Sequence, residues 1–184
     1  MAGLLREVPP NYERIHRHFS RSGNRVLALA FKKLPDVRLG DVAAISRDDL
    51  ESNLEFAGFI VLHSPIKESS PTTVMALKNS SHHVIMITGD HALTACEVAK
   101  TLQITTHDRV TLILSVLDED AKKLGWVPVR DEDPSFEYDE SNFPDHRICN
   151  LCITGPALDF VSDDAFSQLV QRTKVCFAAT SFST

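Results

Sequence analysis

The segment Thr88-Gly89-Asp90 places a hydroxyl group, a backbone amide without a neighbouring Cβ and a carboxylate side by side. It follows the apolar residues 84–87, which are typical of a buried strand, and precedes residues 93–102, which have the pattern of a helix. Ligands of open α/β sheets bind at the carboxyl ends of the strands. Hydroxyl and amide donors at a helix N-terminus suit a phosphoryl group, and a carboxylate suits a hard cation such as Mg²⁺. The spacing therefore predicts a corner that binds a phosphoryl group.

Alternating strands and helices are predicted on both sides of this corner. Apolar runs predict strands at residues 25–31, 55–62, 110–117, 148–154 and 174–179, and helical patterns predict helices at residues 11–22, 46–50, 70–79 and 166–172. Ser70 and Pro71 fit the N-cap and the first helical position of the third of these helices. The order of strands and helices favours βαβ units and a parallel sheet.

Residues 118–147 interrupt this alternation because they are acidic and contain three prolines. They predict a surface excursion, either an insertion loop or a small hairpin on the core. The acidic clusters 118–120 and 131–133 lack the glycine and the terminal glutamate of an EF-hand loop, so we interpret them as solvated faces. His82 and His83 have no acidic or cysteine partner at ligand spacing, and we interpret them as turn residues.

Composition limits the classes of protein to which the chain can belong. Of its 184 residues 43% are hydrophobic, and its net charge of −6 argues against nucleic acid as the main partner. No run approaches the roughly 20 apolar residues that span a bilayer, and the N-terminus lacks the apolar core of a signal peptide, so we expect no membrane insertion of this polypeptide. Four cysteines favour a reducing compartment. Cys149 and Cys152 lie three apart on a predicted strand, where they face opposite sides and are expected to be structural.

Three blocks of sequence together resemble the P-type ATPases. Thr88-Gly89-Asp90, followed by Leu93-Thr94-Ala95, is similar to the Thr-Gly-Asp segment of that family. Residues 22–30 are similar to a late segment of its nucleotide-binding domain, and residues 56–67 to its hinge into the phosphorylation domain, with matching spacing. Further segments resemble the type V, class A subfamily of the endoplasmic reticulum: Asn79-Ser80-Ser81-His82, Ala92-Leu93-Thr94-Ala95-Cys96, and Ile153-Thr154-Gly155 before Ala157-Leu158.

The resemblance implies two partial domains. Residues 1–63 would be the C-terminal part of a nucleotide-binding α+β domain. Residues 64–184 would be part of a haloacid-dehalogenase-like (Rossmannoid) phosphorylation domain, an α/β fold with a parallel sheet and helices. The Ser64-Pro65 step would be the hinge between the two domains.

The resemblance also implies roles for five residues. Thr88 would donate a hydrogen bond to the phosphoryl group of an aspartyl phosphate, Gly89 would let the backbone approach that group, and Asp90 would lie near Mg²⁺. Arg25 would contact the nucleotide phosphates, and Lys67 the nucleotide or its ribose. Simpler interpretations stay open, because Thr88 and Asp90 also suit a cap of the next helix, and both basic residues also suit a solvated surface.

The chain also departs from the family. It contains neither Asp-Lys-Thr-Gly-Thr, which carries the phosphorylated Asp, nor Gly-Asp-Gly-x-Asn-Asp, which holds Mg²⁺, nor any membrane helix. Ser64 stands where many relatives have Asp, and His91 where Asn is usual. After Phe177-Ala178, Ala179 and Phe182 stand where Arg and Pro are expected. We therefore expect a fragment that forms no phosphoenzyme on its own.

The expected parent protein binds Mg²⁺ and ATP and hydrolyses ATP through an aspartyl phosphate on an Asp outside this chain. The resemblance implies a location in the endoplasmic reticulum membrane, with this segment on the cytosolic side and the membrane and actuator domains of the same parent as partners. The cargo would be a hydrophobic protein segment or a cation. Two alternatives stay open: a free-standing dehalogenase-type phosphatase that uses Asp118-Glu119-Asp120, and a non-catalytic, truncated nucleotide-binding module.

Overall fold

The computed structural model describes residues 2–34, 37–173 and 175–177. Two 3₁₀ helices span Ala2–Leu4 and Leu39–Ala44. The α-helices are α1 (Tyr12–Arg21), α2 (Arg47–Leu50), α3 (Ser69–Asn79), α4 (Ala92–Thr101), α5 (Gly155–Leu158) and α6 (Asp163–Arg172). The strands are β1 (Arg25–Phe31), β2 (Glu55–Leu62), β3 (Met86–Thr88), β4 (Val110–Asp118), β5 (Lys123–Pro128), β6 (Phe136–Glu137), β7 (Cys149–Thr154) and β8 (Val175–Phe177). The departures noted at residues 178–184 lie outside the described residues.

The first two strands form a separate antiparallel ribbon. In it Arg25 pairs with Leu62, so the predicted parallel arrangement of these strands is wrong. A parallel pair needs a crossover that packs across the sheet. The intervening residues instead fold back, and Lys32 Nζ donates to the carbonyl oxygens of Asp49 (2.6 Å) and Ser52 (3.1 Å) in the returning segment. The segment therefore returns the chain as an antiparallel partner.

The six remaining strands form one mixed sheet in the order β3-β8-β7-β4-β5-β6. Neighbours from β3 to β4 are parallel, and β5 and β6 are added antiparallel. Alternate residues of β4 and β7 pack on opposite faces: Ile113 and Cys152 join the apolar cluster of α4, whereas Leu112 and Leu151 join the cluster of α6. The sheet is therefore the middle layer between helices on both faces, which is an α/β architecture.

Residues 118–147 contribute a core strand, which corrects the prediction of a surface excursion. They do form a hairpin, but its second strand, β5, lies inside the sheet, and Trp126 is 0% exposed. Charged residues and Gly125 obscure the apolar pattern of this strand in the sequence. An added Cβ on Gly125 would lie 2.5 Å from Leu117 Cδ1, so the glycine allows this close approach between β4 and β5.

Two predicted element starts also differ from the structure. Helix α3 begins at Ser69, and no side chain caps its first turn, so Ser70 is inside the helix and is not the N-cap. Strand β3 begins two residues later than predicted, since only Met86–Thr88 pair with β8. In contrast, Ser46 caps α2 as predicted, and its hydroxyl oxygen accepts from the amide of Asp49.

Helix α1 connects the ribbon to the large sheet. It packs on the ribbon through Tyr12, whose ring lies 4.9 Å from that of Phe59. Next to α1, the carbonyl oxygen of Asn24 accepts a 3.0 Å hydrogen bond from the Thr94 hydroxyl on α4. Among the described residues, no helix has both the length and the apolar character needed to cross a membrane.

Candidate functional site

Thr88-Gly89-Asp90 forms a compact turn at the carboxyl end of β3. The Asp90 amide donates to Thr88 Oγ1 (3.1 Å), and that hydroxyl donates to Asp90 Oδ2 (3.3 Å). Gly89 and Asp90 are exposed, and Thr88 is half-buried. The turn therefore presents a hydroxyl and a carboxylate together on an open corner.

His91, and not Asp90, is the N-cap of α4. Its Nδ1 accepts a 3.4 Å hydrogen bond from the amide of Leu93. The simpler interpretation of Asp90 as the cap of this helix is therefore wrong, and its carboxylate is left to the turn with Thr88. The turn between β3 and α4 is one residue too long for Asp90 to be the N-cap, so the capping position falls on His91.

The corner lies at the edge of the sheet where ligands bind in α/β folds. Thr88 is in register with Phe177 of β8, which is in register with Thr154 of β7. Because these strands are parallel, Thr88 and Thr154 lie at the same level of the carboxyl edge. The Thr154 hydroxyl donates to the carbonyl oxygen of Leu114 (2.9 Å) and so holds β7 against β4.

Strand β3 is the outermost strand at its end of the sheet. Its one partner among the described strands is β8, and Ile87 is 71% exposed. One edge of β3 therefore presents backbone groups that can pair with a further strand.

A cavity of about 880 Å³ lies beside this corner, between α1, β1 and the N-terminus of α4. Polar side chains from distant parts of the chain line it, and they include Glu13, His16, Arg17, His91 and Thr154. The cavity therefore joins the carboxyl edge of the sheet to the N-terminal unit of the protein.

His91 is held as a neutral imidazole in this cavity. Burial lowers the pKa of His91, and the positive charges of His16 and Arg17 lower that pKa further, against an opposing effect of Glu13. The rings of His16 and His91 meet edge to face, with their centroids 5.3 Å apart. A neutral ring suits the N-cap role, because a protonated Nδ1 cannot accept from the amide of Leu93.

Arg25 and Lys67 do not contact the corner. Arg25 is the first, exposed residue of β1, and Lys67 is exposed just before α3. Neither side chain hydrogen-bonds or ion-pairs with Thr88 or Asp90 in the part of the chain that the structure describes. The fold thus brings together three of the five predicted site residues, and the two basic residues stay apart from them.

The other candidate clusters have structural surroundings. Asp118 Oδ1 accepts from the amide of Ala121 (3.0 Å) in the turn between β4 and β5. Two strands separate β4 from β3, a lateral distance of roughly 14 Å at the usual strand spacing. Cys149 and Cys152 are buried in the apolar clusters on opposite faces of the sheet, which confirms the prediction that they face opposite sides.

The described residues contain no group of three or more His, Cys, Asp or Glu side chains arranged to hold a metal ion. Asp90 offers a single carboxylate at the corner. Mg²⁺ usually takes one or two protein carboxylates and completes its shell with phosphate oxygens and water. The corner is therefore suited to an ion that is shared with a bound phosphate group.

His16 and Thr154 line this cavity but are not among the site residues predicted from the sequence. Thr154-Gly155 repeats the Thr-Gly pattern after a strand, which is a signal that was available in the sequence. His16 has no such signal, because its position depends on how α1 packs against α4.

No protein-family model matches the chain. Individual relatives do. The endoplasmic reticulum transmembrane helix translocase of Schizosaccharomyces pombe is 40% identical over 164 residues, which are 86% of this chain and 13% of that protein. The transmembrane helix translocase spfA of Aspergillus fumigatus is 39% identical over 183 residues, or 94% of this chain and 14% of that protein. A probable manganese-transporting ATPase of Arabidopsis thaliana, PDR2, is 39% identical over 158 residues, or 85% of this chain and 13% of that protein.

The alignments with these relatives extend over most of the chain, and the relatives belong to one type of transport ATPase. The chain spans 13–14% of the length of the relatives it matches. By this homology the chain belongs to the type V P-type ATPases, in the branch of the endoplasmic reticulum transmembrane helix translocases.

Proposed function

We propose that this chain is a cytosolic part of the ATP-hydrolysing unit of a translocase in the endoplasmic reticulum membrane. Residues 1–63 are the C-terminal part of its nucleotide-binding domain, and residues 64–184 are part of its haloacid-dehalogenase-like phosphorylation domain. The separation of the antiparallel ribbon from the layered sheet supports this division, as does the irregular backbone of residues 63–67 between β2 and α3. The names of the fungal relatives favour a transmembrane helix as the cargo.

The exposed Thr88–Asp90 turn is the observation that carries the proposal. The Thr88 oxygen already accepts from the Asp90 amide, so its hydrogen is free to turn away from the weak 3.3 Å bond to Asp90. It can then donate to a phosphoryl oxygen in front of the corner. Gly89 lets the backbone come close to that group, because no Cβ is in the way. A donor fixed beside a transferring phosphoryl group stabilises the charge that it carries in the transition state.

The free edge of β3 supports an acceptor aspartate outside this chain. A strand added in parallel beside β3 would lie about 4.8 Å away and end at the same edge as Thr88. An aspartyl phosphate at that end would fall within reach of the Thr88 hydroxyl. The machinery is therefore completed by the remaining domains of the parent protein, including its actuator and membrane domains.

Mg²⁺ and ATP are the expected ligands of the assembled unit. Asp90 would hold the ion together with phosphate oxygens and groups outside this chain, and the ion would neutralise the phosphate charge. Arg25 and Lys67 have no acidic side chain within 4 Å among the described residues, so both cations are available for the nucleotide. Arg25 would contact the phosphates of the nucleotide, and Lys67 the nucleotide or its ribose.

The role of Thr88 is tested by phosphoenzyme turnover in the full-length protein. Thr88→Ala removes the hydroxyl and should slow turnover about 100-fold, the usual effect of losing one fixed donor. Thr88→Ser keeps the hydroxyl and serves as the matched control, which should stay within a few-fold of the wild type. Equal turnover of the two variants would remove the basis of the proposal.

The role of Arg25 is tested separately by calorimetric titration of Mg·ATP into the 184-residue chain. We expect weak binding that Arg25→Ala weakens further, since a guanidinium suits phosphate oxygens. Arg14→Ala removes another exposed arginine, on α1, and should leave the affinity unchanged. Equal losses in both variants would show only a general charge effect.

The phosphatase alternative is disfavoured by the geometry of Asp118, which closes a hairpin turn at the end of β4, and two strands separate β4 from β3. It requires that the chain hydrolyse a generic aryl phosphate and that Asp118→Asn abolish this activity. The non-catalytic alternative corresponds to a 184-residue chain that binds ATP weakly or not at all and has no phosphatase activity of its own.

A further inference from the structure

A second cavity, of about 680 Å³, lies at the opposite end of the sheet from the Thr88 corner. Val110 and Cys149 line it, and they are the first residues of the parallel strands β4 and β7. The cavity is therefore at the amino edge of the sheet. Residues 134–148, which follow β5, form its outer wall, and we call it the amino-edge groove.

The floor of the amino-edge groove is apolar and in part exposed. Leu112 and Phe143 are buried at its base. At its mouth Phe136 is 48% exposed and Ile148 is 71% exposed. Two large apolar side chains that flank one concavity are typical of a site for an apolar side chain of a partner.

The lining of the groove is acidic. Three of its residues are acidic, Glu137, Asp139 and Asp145, and none is Lys, Arg or His. Two of the three have cationic partners outside the lining, because Glu137 pairs with Lys123 and Asp145 with Arg147. Asp139 has no cationic side chain within 4 Å among the described residues.

The uncompensated charge persists at neutral pH. The hydroxyl and the amide of Ser141 donate to Asp139, which lowers the pKa of that carboxyl and keeps it ionised. The groove also accommodates a guanidinium beside its floor, because Arg172 lies 5.6 Å from the centre of the Phe143 ring. Its wall therefore attracts cations, whereas its floor attracts apolar groups.

We propose that the amino-edge groove binds a short peptide segment of a partner protein in which apolar residues are flanked by arginine or lysine. The apolar side chain enters between Phe136 and Ile148, and the basic residues face Asp139 and its acidic neighbours. Burial of the apolar side chain supplies most of the affinity, and the charges select the sequence and speed the encounter. Because the groove lies at the other end of the sheet, this binding leaves the Thr88 corner accessible.

Fluorescence anisotropy of a labelled peptide that alternates leucine and phenylalanine with arginine tests the proposal on the full 184-residue chain. Phe136→Ser and Ile148→Ser should each weaken binding about tenfold, because each removes an apolar contact at the mouth. Phe166→Ser is the matched control, since Phe166 is 43% exposed on α6 and does not line the groove. Phe136→Leu keeps an apolar contact and should bind nearly as well as the wild type, with an unchanged melting temperature.

The charge contribution is tested with Asp139→Asn, alone and together with Glu137→Gln. We expect binding about threefold weaker for each removed charge and a flatter dependence on salt concentration, as for charges at the rim of an interface. A peptide with glutamate in place of arginine should not bind.

Two results would overturn the proposal. Equal binding of a peptide with serine in place of leucine and phenylalanine would show attraction by charge alone. Binding to the 184-residue chain that is absent from the full-length protein would show that a segment of the parent itself fills the groove.

Discussion

At the scale of single residues, Asn150 is a buried polar group that links two strands of the sheet to the loop after α4. Its side chain is 4% exposed and lies where the loop after α4 meets β4 and β7. Its Nδ2 donates to Thr106 O (2.9 Å) and Thr111 Oγ1 (3.2 Å), and its Oδ1 accepts from the amide (3.1 Å) and hydroxyl (3.2 Å) of Thr106. One buried amide thus satisfies four polar groups and fixes the position of the loop.

Asn150→Ala should lower the free energy of unfolding by about 2–3 kcal/mol, because it leaves buried donors and acceptors near Thr106 without partners. Urea unfolding followed by circular dichroism measures the change. Gln168→Ala, which truncates an exposed amide on α6, should change it by less than about 0.5 kcal/mol. A similar small effect at both positions would mean that water replaces the bonds of Asn150.

At the scale of elements, the N-terminus of α6 is tied to the acidic segment that precedes β7. Ser162 caps the helix, with its hydroxyl oxygen accepting from the Ala165 amide (3.3 Å), and the same hydroxyl donates to Glu140 Oε2 (2.9 Å). Ser162→Ala should therefore destabilise the protein by about 1 kcal/mol, as loss of an N-cap does. The midpoint of thermal unfolding reports this change.

Ser167→Ala is the matched control for this prediction. Ser167 is exposed within α6 and donates to the carbonyl oxygen of Asp163, and alanine is the better helix former at such a position. The melting temperature should stay the same or rise slightly. A drop as large as that of Ser162→Ala would indicate a general effect of removing a hydroxyl from α6.

The contact between α1 and α4 should weaken in acid because of His91. The folded protein lowers the pKa of His91 below its ordinary value of 6.5, so the unfolded chain binds a proton at a higher pH than the folded chain does. The contribution of neutral His91 to the free energy of unfolding is fully present above pH 6.5, and it is lost as the pH falls below that value. For one proton, the free energy of unfolding changes by at most about 1.4 kcal/mol per pH unit.

Replacing His91 with Asn keeps an N-cap acceptor and removes the titrating group. Urea unfolding between pH 7 and pH 5 should then lose part of its pH dependence. His107→Asn changes an exposed histidine beyond the end of α4 and should leave the dependence unchanged. An unaltered slope in the His91 variant would assign the acid sensitivity to other groups.

Elements with strong local signals could be predicted from the sequence, whereas their partners could not. The bounds of β1 and β2 agree with the apolar runs, because charged or polar residues flank both runs. Strand β5 was missed, since its burial depends on pairing with β4 and not on its own sequence. The turn at Thr88 was predictable because its hydrogen bonds are local, but the cavity beside it depends on α1, about 75 residues earlier in the chain.

At the scale of the whole molecule, the described residues leave surfaces that isolated domains usually cover. The outer edge of β3 lacks a partner strand, and Leu27, Leu29 and Phe31 project from one face of the ribbon with more than 40% exposure. These three residues alternate along β1 with the half-buried Val26 and Ala28, so they lie on the other face of the strand. Their large apolar side chains are typical of a face that is buried. Such a face and such an edge are usually covered by other segments in a folded protein.

The chain on its own should therefore self-associate, because exposed apolar faces and open strand edges pair with other copies. Light scattering after size-exclusion chromatography should show a mass that rises with concentration. Combined Leu27→Lys and Leu29→Lys substitutions should shift the chain toward monomer, whereas Val8→Lys, at an exposed apolar residue before α1, should not. A wild-type chain that stays monomeric and melts cooperatively would contradict this, since its ribbon would then be stable without the cover that its alternating pattern requires.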